Sequence, residues 1–438
     1  MQSKSRLCFL LTISIVISSL FVFHSQAIDS SMFLDNPTSN PVLASINATS
    51  PTEYFNETSI PRYHLVARPI SIIQSPNKGF PVIIEYNQNI SITAKANSDT
   101  TNWEFSLVST GNNVSLDILE STYVEIDDLW YIEAKPSDNI SGMFDLQLNC
   151  SSGDDYQTNS VKVVAQKSYP FNILHISDSH IPSYAGMNTT DIVLNYIDSI
   201  KDLDVDFAIF TGDLIEGTPA LEYVNPITGE PLAAEVQVKL GLWVFDLLDL
   251  PIYIIGGNHD LDDPSEILPD NITAVWMNYF GENYMHFNFL DWSFIGFTCT
   301  SEGLSTSDFA SIDEILSVEK DKPNLLFYHS NYKNHASNLR ASYKIEVMLY
   351  GHEHHEAKYV SASTLYHCEA PMFNNESSVI TVLNRTSVSL DDVVYDFTSL
   401  LEISTEKTSF SILIFAGTVN FCVVIFLIRR RKYHGLIR

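Results

Sequence analysis

Seven side chains of metal-ligand type, and one further histidine, stand at the ends of apolar runs in the second half of the chain. Phe171–Ser177 leads into Asp178-Ser179-His180, and Asp206–Thr211 into Gly212-Asp213. Pro251–Ile255 leads into Gly256-Gly257-Asn258-His259-Asp260. Asn324–Tyr328 leads into His329, and Val347–Tyr350 into Gly351-His352-Glu353-His354. The set supplies two Asp, one Asn and four imidazoles besides His259. Carboxylate, amide oxygen and imidazole suit Mn, Fe or Zn rather than an ion that prefers thiolates. Seven ligands are too many for one four-coordinate ion. They suit two ions about 3.5–4 Å apart that share a bridging carboxylate, a pairing that lowers the pKa of a bridging water and yields hydroxide near neutral pH.

Five such runs can converge only if the chain arranges them in one sheet system. Residues 167–395 alternate apolar, strand-like runs with helical stretches such as Thr190–Lys201 and Ala234–Leu248, an α/β rhythm. In α/β sheets ligands bind at the carboxyl ends of the strands, which is where these side chains fall.

The order Asp-x-His, Gly-Asp, Gly-Asn-His-Asp, His, Gly-His-x-His resembles that of the calcineurin-like metallophosphoesterases over about residues 170–395. The resemblance implies a four-layer αββα sandwich with two mixed sheets between helices. It implies that Asp178, His180 and His354 bind one metal, that Asn258, His329 and His352 bind the second, and that Asp213 bridges them. It places His259 toward the substrate, to stabilise developing charge or protonate the leaving oxygen, with Asp260 as a candidate to hold the His259 ring. The bridging hydroxide would attack phosphorus in line, with no covalent intermediate. A β module before such a domain also resembles purple acid phosphatases. The sequence departs from them at His180, and at Glu216, which stands three residues after Asp213 where those enzymes place a tyrosine ligand. A tyrosinate-to-iron colour is not expected.

The remaining histidines read as structural. His175 lies inside the first strand and is expected in the core, and His355 is expected to point away from the metals. His286, His335 and His367 have no assigned chemistry. Asn331 and Tyr332 follow His329 within reach of a substrate, and residues 214–233, with Pro219, Pro226 and Pro231, are expected to form part of the pocket wall.

The chain has 438 residues, 45% hydrophobic and 18% charged, which excludes a wholly disordered protein. Apolar runs of spanning length occur only at the two ends, which excludes a polytopic membrane protein. A formal net charge of -29 disfavours a nucleic-acid polymer as partner. Residues 1–27 read as a signal peptide, with Lys4 and Arg6 before the apolar Leu7–Phe23 and Ser25-Gln26-Ala27 at the cleavage position. Residues 28–60 read as a Ser/Thr/Asn-rich linker. Residues 61–166 read as an immunoglobulin-like β-sandwich, with Trp103 and Trp130 in its core. Residues 396–409 form a stalk. Phe410–Ile428 is an uncharged run long enough for a transmembrane helix, and the basic tail 429–438 places itself on the cytoplasmic side. The expected location is the cell surface or a secretory-pathway membrane, with the ectodomain outside.

Sequons at Asn47, Asn56, Asn89, Asn113, Asn139, Asn149, Asn188, Asn271, Asn375 and Asn384 agree with that orientation. Cys150, Cys299 and Cys368 leave their pairing open, and none has metal-ligand spacing. The reading is a membrane-anchored extracellular metal-dependent phosphoesterase acting on phosphomonoesters, nucleotides, lipid headgroups or other diesters. The alternative is a catalytically inactive member of the same fold used for binding, adhesion or metal sensing.

Overall fold

A computed structural model describes residues 71–217, 232–262, 271–281, 284–298, 304–330, 335–391 and 393–397. The segments expected as signal peptide, linker, transmembrane run and tail lie outside these residues. So do nearly all of the stalk, Cys299, Asn331, Tyr332, Pro219, Pro226 and Pro231. Among the described residues no helix is long and apolar enough to cross a membrane.

The first module is all-β, as expected. Its strands are β1 (Ile73–Ser75), β2 (Val82–Glu85), β3 (Ile90–Ala94), β4 (Glu104–Ser109), β5 (Asn112–Val124), β6 (Leu129–Pro136), β7 (Gly142–Cys150) and β8 (Gly153–Val164). They pair in one sheet of eight, in the order β1-β3-β6-β5-β4-β7-β8-β2, rather than in the two separate sheets that an immunoglobulin-like sandwich implies. The reason lies in β5. It is 13 residues long, pairs with β4 through residues 112–116 and with β6 through 116–124, and shifts register between Ile118 and Glu120. A bulge of this kind bends a strand and lets it serve two walls. The sheet curls until Ile73 N donates to Asp155 Oδ2 on β8 at 2.7 Å. The enclosed core includes Ile90, Ile92, Phe105, Leu107, Leu146 and Leu148. Trp103 and Trp130, expected inside, are half-buried at its rim with ring centroids 5.4 Å apart.

The second part runs β9 (Phe171–Ile176), α1 (Thr189–Ile200), β10 (Phe207–Thr211), α2 (Ala234–Asp246), β11 (Ile252–Ile255), α3 (Asn258–Leu261) and α4 (Ile272–Phe280). There follow β12 (Tyr284–Phe289), β13 (Trp292–Phe297), α5 (Thr306–Val318), β14 (Asn324–Tyr328), α6 (His335–Ser342), β15 (Val347–Tyr350), β16 (Ala357–Ser361), β17 (Thr364–Cys368), β18 (Ser378–Asn384), β19 (Ser387–Leu390) and β20 (Val393–Asp396). Two mixed sheets of six result, β11-β10-β9-β18-β19-β20 and β12-β13-β14-β15-β17-β16. Strands β9, β10 and β11 are parallel, as are β13, β14, β15 and β17, so each group delivers its carboxyl ends to one edge.

Period-two alternation sorts the layers. Phe207 and Ile209 of β10 join the core between the sheets. Ala208 and Phe210 point the other way, and the Phe210 ring meets Phe245 of α2 at 4.9 Å. Helices α1 and α5 begin at side-chain caps. Asn188 accepts from Asp191 N at 3.2 Å at α1, and Ser305 accepts from Asp308 N at 3.0 Å at α5.

The two parts share a seam. Ile83 of β2 is buried in the core between the two sheets of six. Gly79 O accepts from Ile254 N at 2.9 Å, so the turn before β2 covers part of the free edge of β11. Lys78 and Asp246 form an ion pair whose side chains are 3% and 4% exposed.

Candidate metal centre

All five sequence motifs arrive at the carboxyl edge of their strands. The loops after β9 and β10 are laced together: Asp178 N donates to Gly212 O and His180 N to Asp213 O, both at 3.0 Å. The loops after β14 and β15 are joined by Gly351 N to His329 O at 3.1 Å. His352 N donates to the Asp178 carboxylate at 3.1 Å and ties one pair of loops to the other.

The ligand loops leave their strands abruptly. Asp178, His180, Asp213, His352 and His354 all take left-handed backbone conformations, with φ of 53°, 44°, 57°, 72° and 51°. Non-glycine residues persist there only where their surroundings impose it, and such residues gather at functional sites. Two glycines give the room. A Cβ on Gly257 would lie 2.2 Å from Asp213 Oδ1 and 2.7 Å from the His329 ring. Gly212, at φ +98°, would drive a Cβ into the same ring at 2.7 Å.

Three groups of ligand atoms result; Asp213 belongs to two of them, and the third joins His180, Glu216 and His259. In the first, His354 Nε2 stands 3.3 Å from Asp178 Oδ1 and 3.1 Å from His180 Nε2, and His180 Nε2 stands 3.6 Å from Asp213 Oδ2. In the second, His329 Nε2 stands 3.0 Å from Asp213 Oδ2 and 3.3 Å from His352 Nδ1. The Oδ1 atom of Asn258 is buried and has no hydrogen-bond partner. An acceptor left unpaired costs free energy unless something fills it, and Asn258 lies between Gly257 and His259, which both approach Asp213. His259 N donates to Asp213 Oδ1 at 2.9 Å. The two groups that share Asp213 combine four imidazoles with two carboxylates, and with the orphaned amide oxygen of Asn258 nearby in sequence this donor set fits divalent cations.

The electrostatics agree with that donor set. Burial works against charge on His180, yet Asp178, Glu216 and Asp213 outweigh it and raise the imidazole to about 10. His329 rises to about 9 against burial, through Asp213 and Asp178. Burial also opposes the Asp213 carboxylate, but His329, His180 and His259 hold it at about 2. Asp178 is held far below the usual carboxylate range by His180, His354 and His329. His352 is pushed down by burial and by the neighbouring His329.

The predicted roles around His259 divide differently from the expectation. Asp260 does not hold the His259 ring. Its carboxylate accepts from Gly257 N at 2.8 Å, Ile215 N at 3.0 Å and Leu214 N at 3.2 Å, which fixes the loop carrying Asp213. Burial and the charge of Asp213 push it up to about 7. The His259 ring is held instead by the Glu216 carbonyl, 2.6 Å from Nδ1. Glu216 also places Oε2 2.8 Å from His180 Nδ1. Sequence reading noticed this residue only as a departure from another pattern; its spacing three residues after Asp213 was the available signal. Tyr184 and Phe373 were missed entirely. Their rings stack at 5.0 Å, and both lie against His354. They are 189 residues apart in sequence, and no local pattern links them.

The other histidines follow expectation. His355 is exposed and its Nδ1 donates to Glu353 O at 2.7 Å. His286 contacts Ser293 Oγ at 3.3 Å, and His335 opens α6 beside Phe309. Cys150 and Cys368 are buried free thiols.

Residues 171–356 match the family model for calcineurin-like phosphoesterase. They form a calcineurin-like phosphoesterase domain. Solved structures similar to the chain include a dimetal phosphatase from Danio rerio, 11% identical, with a TM-score of 0.40 over 52% of this chain and 99% of that one. PhoD is 9% identical, with a TM-score of 0.43 over 73% of this chain and 86% of that one. No curated protein matches the chain. The calcineurin-like domain contains all seven expected ligands and His259, and its match ends two residues after His354.

Proposed function

We propose that this domain hydrolyses phosphate mono- or diesters through two metal ions of the Mn, Fe or Zn type. One observation carries the reading: a single carboxylate, Asp213, is common to two of the ligand groups, with Oδ2 at 3.6 Å from His180 and 3.0 Å from His329. Asp178, His180 and His354 would hold one ion, and Asn258, His329 and His352 the other. Bound there, the ions would supply Lewis acidity toward the phosphoryl oxygens and a water of lowered pKa. His329 Nδ1 donates to Thr211 O at 2.8 Å, so Nε2 is the atom that would serve as ligand once a bound ion displaced the proton it shares with Asp213. His259 is one-quarter exposed, and with Nδ1 engaged by Glu216 O its Nε2 is the nitrogen free to donate to a phosphoryl or leaving oxygen.

The same proposal includes an ectodomain outside a membrane, anchored through residues 410–428. Seven of the eight sequons within the described residues have exposed asparagines, and Asn188 is half-buried, which supports glycan attachment on this surface. Nucleotides and lipid headgroups are the first substrates to try beside generic esters.

The test is metal content and hydrolysis of paired monoester and diester substrates by the full chain, with Asp213→Asn and His259→Ala alongside. The expected result is about two ions bound through Asp213 and a loss of about 10²–10⁴-fold in His259→Ala. Hydrolysis that survives Asp213→Asn would overturn the assignment.

A further inference from the structure

A second cluster of ligand-type side chains lies between the two sheets, behind the catalytic edge. Along β9, Phe171, Ile173 and His175 share one face, and the first two belong to the core between the sheets. His175 therefore points across to the second sheet, where it meets His367 of β17 and Glu369. The three residues are 0%, 0% and 1% exposed. Their ligand atoms form one group, none more than 4.8 Å from another.

The hydrogen bonds aim these atoms at one another. His175 Nε2 is engaged by Thr211 Oγ1 at 3.0 Å, and His367 Nε2 by Ser378 Oγ at 3.3 Å. The two Nδ1 atoms face each other at 2.8 Å. Glu369 Oε1 accepts from Ala370 N at 3.0 Å, whereas Oε2 is buried, has no hydrogen-bond partner and stands 3.9 Å from His175 Nδ1. Without a cation the two imidazoles share one proton, and burial pushes the Glu369 carboxyl up to about 8, so that it carries another at neutral pH. A cation would satisfy all three atoms. Ligands about 2.0–2.2 Å from one ion stand no more than about 4.4 Å apart, and 2.8 and 3.9 Å both respect that limit. Burial pushes His367 down to about 4 and His175 well below the usual imidazole range, so both rings are neutral and offer lone pairs.

We propose that His175, His367 and Glu369 bind a third metal ion, a divalent cation of the zinc type, that fastens the two sheets together beneath the catalytic pair. Two imidazoles and a carboxylate suit zinc, and the hydroxyls of Thr211 and Ser378 give each histidine the outer hydrogen bond that ligating imidazoles usually carry. The three residues of the cluster are at most 1% exposed, whereas the His354 side chain is 26% exposed. The third ion is therefore structural, taken up as the domain folds and slow to leave.

The experiment uses the full chain produced with zinc, iron and manganese supplied. Metal is counted after prolonged chelation, and crystals are examined for anomalous scattering at the zinc edge. About one ion per chain is expected to resist chelation, with an anomalous peak among His175 Nδ1, His367 Nδ1 and Glu369 Oε2. Glu369→Gln should lose that ion and keep those held through Asp213; Asp213→Asn should do the reverse. The wild-type peak stands even if the variants fail to fold. No peak between His175 and His367 in metal-replete crystals would overturn the inference, as would chelation-resistant metal unchanged in both Glu369→Gln and His367→Asn. Neither result depends on whether the domain hydrolyses esters.

Discussion

Glu216 Oε2 stands 2.8 Å from His180 Nδ1, on the opposite side of the ring from the nitrogen that faces Asp213 and His354. A carboxylate there fixes the tautomer and orientation of a ligating histidine, and losing such a partner typically costs 10–100-fold in metal affinity or activity. Glu216→Ala is expected to fall in that range, read as metal dissociation and kcat/KM. Glu216→Gln keeps an acceptor oxygen and should lose less. Equal behaviour of both variants and the wild type would remove Glu216 from the machinery.

Gly257 is where the backbone passes closest to the shared carboxylate. A methyl group placed there meets Asp213 Oδ1 and the His329 ring at once. Gly257→Ala should keep its circular dichroism and unfold cooperatively, yet lose the ions held through Asp213. Because misplacement of about 1 Å costs on the order of 100-fold in rate, hydrolysis should drop by at least about that factor.

Metal uptake should depend on pH in a definite direction. Without metal, the folded-state values of His180 and His329, about 10 and about 9, lie above neutrality. Both imidazoles then carry protons at pH 7 that a metal must displace. Their raised values stabilise the metal-free fold below an unfolded pKa of about 6.5, and that stabilisation is lost as pH rises through the folded values. Apparent metal affinity should therefore rise between about pH 6 and 9, and calorimetry in buffers of different ionisation enthalpy should detect proton release. Affinity independent of pH over that range would contradict the charge pattern.

The Lys78–Asp246 pair joins the β module to α2 almost without solvent. Asn159 Nδ2 also reaches Asp246 Oδ1 at 3.2 Å. Removing one partner of a buried pair leaves an uncompensated charge and typically costs about 3–5 kcal/mol, whereas an apolar replacement of both is often neutral. Lys78→Met alone should destabilise by roughly that amount in denaturant unfolding. Lys78→Met with Asp246→Leu should recover most of it. A single variant as stable as the wild type would mean that the seam carries little of the fold's stability.

The calcineurin-like half was legible because its signal is local. Each ligand follows an apolar strand, and parallel pairing brings strand ends to one edge whatever the loops do. The runs 324–328 and 347–350 are strands β14 and β15 as expected, and 171–177 is β9 less one residue. What escaped depends on contacts between distant residues. Asp260 sits next to His259 in sequence, but its helix turns it toward three backbone N–H groups. His175 and His367 are 192 residues apart and meet only because two sheets stack. The single curled sheet of the β module carries register shifts at Ile118/Glu120, Phe144/Leu146 and Ile73/Ser75, and composition carries no mark of a bulge.

The bond from Ile254 N to Gly79 O has a consequence for any attempt to treat the calcineurin-like half as a portable unit. Strand β11 ends its sheet, and the turn at residues 77–80 is what occupies its outer rim. A chain cut at residue 167 would present that rim bare, together with the apolar surface that Ile83 and Phe80 now shield. Bare strand rims recruit other strands. The excised half should thus self-associate, and the β module is better regarded as a guard against edge-to-edge assembly than as an appendage.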